Sequence, residues 1–490
     1  MRAFLLVLFC VGSGFSSVFQ EKVKNALAKV NITLDIEQLR KTHDRIEGVR
    51  PKIEEMLKLS PQEKISLADL VEHTIKVRKN HVRPKGDSIE EINHKSKLGG
   101  LLYQGDIVLT KTQAEDIVED TKANTNNRPK RQAFLDRRLP QTRWDKGVDY
   151  YFHSNATEDV KRVFLKAMNI WMKDTCIDFR ENDKAEDRLC VTRSAGLCFS
   201  SVGRVGGLQN LSLDDGCESV GTAAHEIGHT LGFFHTHSRH DRDKFILFNR
   251  ENVESKYLDE FTKQTTLTNE NYGIPYDYGS IMHYGATMAS LDGQPTMLAR
   301  DGNYTQTLGS PFVSFYDLIM MNFHYGCNTI CKRETSARCS MGGIPHPRNC
   351  STCLCPTGYG GKECKERPQG CGQEYEATSS YKVLEDVVGH PEQGYTDRED
   401  YEKCTYWVKA PTGKKIEIEI VGLSDGLAVD GCQYGGVEIK TNKDQKLTGY
   451  RFCAKEDAGV RLVSKRNIVP IITYNRVYFT KTILKYRIAP

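Results

Sequence analysis

The sequence predicts a multidomain protein with a mainly helical N-terminal unit, an α+β domain, a small disulfide-rich module and an all-β C-terminal domain. At ~150 residues per domain, its 490 residues suggest several such units. Eight of the 16 cysteines lie between Cys327 and Cys371, which is typical of a small module held together by disulfides. Beyond Cys371, apolar and polar residues alternate, as in 415–420, and this period of two predicts strands.

Composition and charge exclude several classes of protein. Hydrophobic residues make up 39% of the chain, which is enough to form a sizeable core and argues against a disordered protein. The 68 basic and 64 acidic side chains nearly balance, and no long basic block is present. We therefore expect no nucleic-acid partner.

The N-terminus has the features of a secretory signal peptide. A short positive start is followed by an apolar run at 4–11 and by small residues at 12–17, the pattern that signal peptidase recognises. The run is much shorter than the ~20 apolar residues that span a bilayer, and no later stretch reaches that length. We therefore predict a signal peptide over 1–17, a secreted extracellular protein and no membrane span.

Residues 18–131 form a separate unit without cysteine. Helical spacing of apolar residues occurs within 65–75, at Ile65, Leu67, Leu70, Val71 and Ile75. The unit ends in a polar linker that carries Arg128-x-Lys130-Arg131, the form that subtilisin-like processing proteases cut. A solvated basic turn is the alternative. The position of the tetrad between two different regions favours cleavage after Arg131 and makes 18–131 a propeptide.

The segment 132–327 begins with an apolar alternation at 148–152 and a helical pattern at 158–173, an order that suggests an α+β domain. Acceptor triplets for N-glycosylation agree with export. They occur at Asn31, Asn155, Asn210 and Asn303. A fifth triplet, at Asn349, is less suitable because its middle residue is a cysteine.

The stretch from His225 to His235 carries the clearest chemical pattern. On a helix, His225 and His229 project from the same face, so two imidazole nitrogens are able to bind one ion. Gly232 lets the chain leave the helix, and His235 returns as a third ligand. Three protein ligands leave one position for water, which is the catalytic form of a zinc site. The spacing therefore predicts one Zn²⁺ per chain.

Glu226 follows the first ligand and is placed to act as a general base rather than as a ligand. Zinc polarises a peptide carbonyl and lowers the pKa of water to about 7, so a carboxylate there is able to take the proton and pass it to the leaving amine. A pair of histidines four residues apart also arises by chance. The extended pattern, with Glu and Gly in place, favours a zinc endopeptidase.

Residues around this motif resemble the astacin family of metzincin metalloproteases. The charged run 239–243 matches the family's extension of the histidine motif, and Ser280-x-Met282-His283-Tyr284 matches its Met-turn. The resemblance implies an α+β metzincin domain with two subdomains around a zinc cleft. It also implies that Met282 supports the metal from below and that Tyr284 ligates zinc at rest and then stabilises the oxyanion.

The same resemblance extends to neighbouring segments. Residues 198–207 look like the family's edge strand, to which an extended substrate adds in antiparallel orientation. The family pattern pairs Cys176 with Cys327 and Cys198 with Cys217. Cys190 has no partner in that scheme, and it is the odd thiol among the 15 cysteines that remain after the signal peptide, with Cys10, is removed.

Tyr103-Gln104-Gly105-Asp106 is similar to the family's latency motif, in which the aspartate binds zinc in place of water. An ordinary Gly-Asp turn is the alternative. The location before the basic cleavage site favours Asp106 as a metal ligand of the latent form. One position departs from the family, because Thr236 stands where a Glu usually meets the mature N-terminus.

Two accessory modules follow the protease domain. Residues 328–365 are similar to an EGF-like module, and the family pattern joins Cys331 to Cys350, Cys339 to Cys353 and Cys355 to Cys364, although spacing alone allows 15 connectivities. Residues 371–490 resemble a CUB sandwich, with the pairs Cys371–Cys404 and Cys432–Cys453. Gly435 replaces the Asp through which many such modules bind calcium, so we predict no calcium.

The combination of modules looks most like nematode astacins, some of which act on cuticle or eggshell. We therefore predict a secreted zinc endopeptidase, made as a latent zymogen, that hydrolyses extracellular matrix proteins. The alternative is a non-enzymatic matrix or adhesion protein that acts through its EGF-like and CUB modules.

Overall fold

The computed structural model describes residues 35–123, 142–265 and 269–490. The predicted signal peptide, the sequon at Asn31 and the cleavage site at Arg131 lie outside the described residues.

The N-terminal region is mainly helical. Its elements are α1 (Ile36–Glu47), α2 (Arg50–Met56), α3 (Pro61–His73), α4 (Ile89–Lys95), β1 (Ile107–Val108) and α5 (Lys111–Ala123). Asp35 caps α1, and a capping box between Ser60 and Glu63 begins α3, which satisfies amides that lack a partner in the first turn. The helical spacing within 65–75 corresponds to α3 as far as His73, and Ile75 lies beyond the end of the helix. None of the α3 side chains is buried, and Ile65 is 70% exposed.

The central region is built on a six-stranded sheet with the order β1-β5-β6-β4-β2-β3, so the N-terminal region supplies one edge strand. Its own strands are β2 (Val148–Phe152), β3 (Phe179–Glu181), β4 (Arg188–Thr192), β5 (Cys198–Ser201) and β6 (Leu208–Leu213). Strand β5 is antiparallel to β6, whereas β2, β3, β4 and β6 are parallel to their neighbours among them. The predicted strand at 148–152 is therefore present.

Helices pack against this sheet and against each other. They are α6 (Glu158–Asp174), α7 (Val220–Thr230) and α8 (Phe315–His324), and a two-stranded sheet is formed by β7 (Ile246–Phe248) and β8 (Met297–Ala299). Helix α6 covers the predicted 158–173 and begins at the N-cap Thr157. Its Trp171 is fully buried and donates from Nε1 to the Ala224 carbonyl at 2.9 Å, which fixes α6 against α7.

The C-terminal region is mostly β structure. A hairpin of β9 (Ile344–His346) and β10 (Asn349–Leu354) precedes two stacked sheets, with the orders β11-β13-β18-β15-β16 and β12-β19-β14-β17. Their strands are β11 (Glu374–Glu376), β12 (Lys382–Gly389), β13 (Asp397–Lys409), β14 (Ile416–Leu423), β15 (Gly435–Ile439), β16 (Tyr450–Phe452), β17 (Arg461–Val463), β18 (Ile468–Val477) and β19 (Phe479–Ile488). The alternation at 415–420 buries Ile416, Ile418 and Ile420, as a half-buried strand requires.

In the part of the chain that the structure describes, seven disulfides join cysteines within single regions. They are Cys176–Cys327, Cys198–Cys217, Cys331–Cys350, Cys339–Cys353, Cys355–Cys364, Cys371–Cys404 and Cys432–Cys453. Among the described cysteines, Cys190 is free, and it is buried. Within the same residues, no helix has the length and apolar character needed to cross a bilayer.

The C-terminal β region packs directly on the central region. Thr448 receives a hydrogen bond from Tyr304 Oη at 2.9 Å and donates to Asp277 at 3.1 Å. Arg451 donates to Ser310 Oγ at 2.6 Å while pairing with Glu438. Each of these buried polar groups has a hydrogen-bond partner in the other region, so the interface fixes the orientation of the two regions.

Loop length predicts which central disulfide contributes more to stability. Cys176–Cys327 closes a sequence separation of 151 residues and Cys198–Cys217 one of 19. The chain-entropy relation gives about 5 kcal/mol for the first and about 3 kcal/mol for the second. Replacing both cysteines of the first pair by Ser should therefore lower the unfolding temperature more than the same change in the second pair. Cys190→Ala is the control, and an equal loss in all three variants would contradict the prediction.

Candidate active site

Helix α7 brings two predicted metal ligands to one point. Ser219 caps the helix, and its side chain accepts from the Thr222 amide. The chain turns at Gly232, whose φ of +111° is a conformation that favours glycine. This turn returns His235 to the first two ligands, so all three imidazoles meet.

The three Nε2 atoms are spaced as a zinc site requires. His225 lies 3.1 Å from His229 and 3.3 Å from His235, and the last two are 3.2 Å apart. Nitrogens about 2.0–2.1 Å from one ion at tetrahedral angles are about 3.3–3.4 Å apart. The residues present therefore fit Zn²⁺, which would supply Lewis acidity at this point.

Hydrogen bonds at the opposite ring nitrogens set the tautomers. His225 Nδ1 donates to the Ile281 carbonyl at 2.7 Å, and His229 Nδ1 donates to the Phe233 carbonyl at 2.6 Å. Since a carbonyl only accepts, Nδ1 carries the proton and the Nε2 lone pair remains available to a metal. His235 Nδ1 is 3.2 Å from Gln104 Oε1, so a residue of the N-terminal region orients the third ring.

Asp106 places its carboxylate among the three rings. Its oxygens are 3.0 Å from His225 Nε2, 3.4 Å from His229 Nε2 and 3.2 Å from His235 Nε2. Burial opposes ionisation, but the histidines outweigh it and hold the pKa of Asp106 well below its usual range. The cluster has three nitrogen ligands and one anionic oxygen, a donor set that zinc accepts.

Glu226 is fully buried beside this cluster, and no hydrogen-bond donor of the described residues reaches either of its carboxylate oxygens. Burial, followed by the charge of Asp106, raises its pKa well above the usual value. An unpaired buried carboxylate costs stability. Such a cost is typical of a group whose partner is a substrate or a water in the reaction.

Tyr284 also contacts the cluster, because its hydroxyl donates to Asp106 Oδ2. Burial and the charge of Asp106 raise the pKa of Tyr284, so the phenol is a donor. Its ring stacks at 5.1 Å on His237, which also stacks at 5.0 Å on His235. Among the described residues, His237 and His283 do not join the ligand cluster.

A turn beneath the cluster holds these groups in place. Asp317 accepts from Ser280 Oγ at 2.6 Å and from the Ile281 amide at 2.9 Å, so the N-terminus of α8 fixes the turn. Met282 is fully buried under α7, where a Cβ on Gly228 would lie 2.5 Å from its Sδ. Thr236 is buried and donates to Ser280 Oγ at 2.8 Å, so in this structure it braces the turn.

The N-terminal region occupies the edge of the sheet next to the cluster. Ile107 and Val108 pair in parallel with Ser200 and Ser201 of β5. Nearer the start of β5, the Asn93 side chain bridges this edge, because its amide donates to the Cys198 carbonyl at 2.7 Å and its oxygen accepts from the Cys198 amide at 2.9 Å. The edge predicted to receive substrate is therefore covered by the chain itself.

Sequence reasoning missed several of these residues. Gln104 lies in the motif that predicts Asp106 as a metal ligand. Its contact with the His235 ring depends on the tertiary packing that brings His235 close, so the motif does not predict it. Asn93 and Asp317 are polar residues in helical patterns, and nothing in their local sequence indicates the backbone that they bind. Their contacts join residues 105 and 37 positions apart in the chain, respectively.

The predicted glycosylation sites differ in accessibility. Asn303 is exposed. Asn155 and Asn210 are half-buried, and the Asn155 amide donates to the Arg193 carbonyl at 2.8 Å. A glycan on Asn155 would be attached to the nitrogen that makes this hydrogen bond.

Comparison with known proteins identifies the family. The profile of the astacin peptidase family matches residues 136–326. The zinc metalloproteinase nas-31 of Caenorhabditis elegans is 47% identical over 412 residues, which is 84% of this chain and 67% of that protein. The zinc metalloproteinase nas-29 of the same organism is 35% identical over 413 residues, covering 79% of this chain and 76% of that protein. The chain belongs to the astacin family.

Among solved structures, the chain is similar to high choriolytic enzyme 1, a hatching enzyme zinc-protease from Oryzias latipes. The two share 32% sequence identity, the match covers 36% of this chain and 88% of that one, and the TM-score is 0.34.

As a member of this family, the protein is a zinc metalloendopeptidase, and proteins are its substrates. The three histidines and Glu226 are all present at the site. Family and site therefore give no support to the alternative of a silent protease fold that serves only adhesion.

The close approach of Gly228 and Met282 gives a test of the turn beneath the metal. In Gly228→Ala, the added Cβ would displace Met282, so we expect a loss of about 1–3 kcal/mol in stability from overpacking and weaker zinc binding. Gly302→Ala is the matched control, because a Cβ there meets nothing within 4 Å. Thermal unfolding and zinc titration measure both effects, and equal behaviour of the two variants would contradict the prediction.

Proposed function

We propose that the protein is a secreted zinc endopeptidase made as a latent zymogen, in which the N-terminal region is a propeptide that blocks its own active site. The observation that carries this proposal is the position of Asp106 among His225, His229 and His235. A carboxylate there takes the place that a catalytic zinc site keeps for water.

Glu226 is proposed as the general base and acid. Its carboxylate lies unpaired beside the ligand cluster, where it is able to take a proton from the attacking water and give it to the leaving amine. Burial raises the proton affinity of the carboxylate. A carboxylate with raised proton affinity is able to keep the proton after it is taken from the attacking water and until it is given to the leaving amine.

Tyr284 is proposed as the group that stabilises the developing oxyanion. Its hydroxyl now donates to Asp106, so a donor is already directed at an anionic oxygen in the site. When Asp106 leaves, the same hydroxyl becomes available to an oxygen of the substrate. Stacking of its ring on His237 limits how the side chain turns.

The direction of β1 supports latency. A substrate is expected to run antiparallel to β5, whereas β1 runs parallel to it. A strand in the reverse direction fills the edge and its hydrogen bonds without presenting a peptide bond in the orientation of a substrate. Cleavage after Arg131 by a processing protease would then free the N-terminal region to dissociate.

Two further modules are proposed in the C-terminal region. Three disulfides within 331–364 and the β9–β10 hairpin support an EGF-like module. Two stacked sheets with two disulfides support a CUB domain over 371–490. The density of disulfides supports secretion, because such bonds persist in oxidising compartments. Extracellular matrix, such as cuticle or eggshell, is the proposed substrate.

Replacing Glu226 by Gln tests the catalytic proposal. We expect the chain, once cut after Arg131, to keep one zinc and lose about 10²- to 10⁴-fold in kcat on casein, because the amide takes no proton. Glu186→Gln is the control, since Glu186 is exposed in the same region. Metal analysis and proteolysis of both variants decide the matter. Unchanged kcat with zinc retained would refute the role.

Asp106→Ala tests latency in a chain that carries Arg131→Ala and so stays uncut. Removing one partner of a buried charge cluster costs about 3–5 kcal/mol, so the N-terminal region should loosen and the uncut chain should cleave casein. Asp69→Ala, at an exposed position of α3, serves as the control and should remain inactive. An inactive, folded Asp106→Ala protein would count against the proposal.

A further inference from the structure

A large cavity lies where the three regions of the chain meet. It measures about 630 Å³, within the range of ~300–1,000 Å³ that is typical of cavities holding small ligands. One wall is formed by the end of α3 and the residues that follow it, and the other walls come from the central region and from Phe452 of the C-terminal region. The cavity is separate from the active site, because none of the residues of the ligand cluster borders it.

The wall that belongs to the N-terminal region is apolar and incompletely covered. Val71 is 42% exposed and Ile75 is 40% exposed, and both border the cavity. Within the described residues, no hydrogen bond joins residues 74–77 to the central or C-terminal region. The chain is next held at Lys79, which pairs with Asp430. The end of α3 and the residues after it therefore span the cavity with apolar surface still available for contact.

The wall that belongs to the central region carries an acceptor site for N-glycosylation. Asn303 borders the cavity, is exposed and begins the triplet Asn303-Tyr304-Thr305. Its Nδ2 lies 3.5 Å from Asp301 Oδ1, so a sugar attached there displaces no strong hydrogen bond. In the transfer, a bond forms between the sugar C1 and Nδ2, the bond from C1 to the lipid pyrophosphate donor breaks, and the amide loses a proton to the leaving pyrophosphate. A sugar chain on Asn303 thus starts at the cavity.

The third residue of the triplet supplies a polar group without a partner at the same cavity. Thr305 borders the cavity and is 7% exposed, and its Oγ1 is buried. No group of the described residues forms a hydrogen bond with this hydroxyl. A buried polar group without a partner costs free energy, so a ligand is expected to provide one. The hydroxyl and acetamido groups of an N-linked sugar are donors and acceptors of this kind.

The cavity walls combine apolar and polar groups, as the surface of a sugar does. Leu298 and Phe452 are apolar and buried, whereas Lys76 and Gln294 carry polar groups at the same cavity. A pyranose ring has C–H groups on its faces and hydroxyls around its edge, so it is able to contact both kinds of wall. A purely aliphatic ligand would leave the Thr305 hydroxyl without a partner. The lining therefore favours a sugar over a lipid chain.

Resting on the function proposed above, we infer that the N-linked sugar chain of Asn303 fills this cavity in the zymogen and packs against Val71 and Ile75. The sugar is attached to the protease domain, whereas the surface that it covers belongs to the region that leaves on activation. Its contacts therefore hold the N-terminal region in place after the chain is cut at Arg131. The sugar thus lengthens the delay between cleavage and the appearance of activity.

The rate at which the N-terminal region leaves tests this inference. The full chain is produced in insect cells, which attach N-linked sugars, and mass spectrometry of the peptide that carries Asn303 shows whether it is modified. The protein is held on a sensor surface through its C-terminus and cut after Arg131, and the departure of residues 18–131 is followed. We expect Asn303→Gln to raise the rate of departure roughly tenfold, because covering two half-exposed aliphatic side chains contributes about that factor.

Thr305→Ser is the matched control, since it keeps both the acceptor triplet and a hydroxyl at the cavity, and its modified form should release the N-terminal region at the wild-type rate. If Asn303→Gln does not fold, as judged by thermal unfolding, the sugar is removed enzymatically from the native wild-type protein, with the same expectation. The inference is overturned if Asn303 carries no sugar, or if its removal leaves the rate unchanged, as it would where another molecule or none fills the cavity. Failure of the released wild-type enzyme to cleave casein would instead overturn the proposed function.

Discussion

The convergence of three imidazole nitrogens on one point is the constraint on which the rest of the structure depends. It requires a helix that presents two rings, a glycine turn that returns the third and backbone carbonyls that keep the lone pairs of the helical rings directed inward. The Ile281 carbonyl comes from the turn beneath the site, and Asp317 at the start of α8 holds that turn. The ligand geometry is therefore maintained by elements far apart in the sequence, which the sheet and the long-range disulfide Cys176–Cys327 hold together.

The N-terminal region places a carboxylate at the point where the three imidazole nitrogens converge. Asp106 binds where the nitrogens converge, Gln104 orients His235, and Asn93 occupies the edge of β5 at Cys198. Each contact satisfies a polar group of the central region. Pairing with a strand edge and charge-assisted hydrogen bonds are both strong modes of polar binding, so a short stretch of chain is able to cover the site.

Much of the site could be predicted from sequence because its chemistry is local. His225, Glu226, His229 and His235 lie within one short helical segment and the loop that follows, so their spacing alone predicts that the three imidazoles converge. The strand at 148–152 and the helix at 158–173 were predictable from periodicity for the same reason. Contacts such as Asn93 with Cys198 and Tyr434 with Asp87 could not be predicted, since they depend on how separate regions pack. The apolar residues of α3 show the converse limit. Their spacing predicts a helix, but Ile65 is exposed and no element of the described residues covers it.

Cys190 has a consequence for the covalent framework of the protein. Disulfide exchange begins with attack by a thiolate, so its rate depends on ionisation and on access. Burial raises the pKa of the Cys190 thiol, and its side chain is 2% exposed on β4. The attacking species is therefore both rare and out of reach of the seven bridges. A single odd thiol is thus able to coexist with the disulfides of the folded protein.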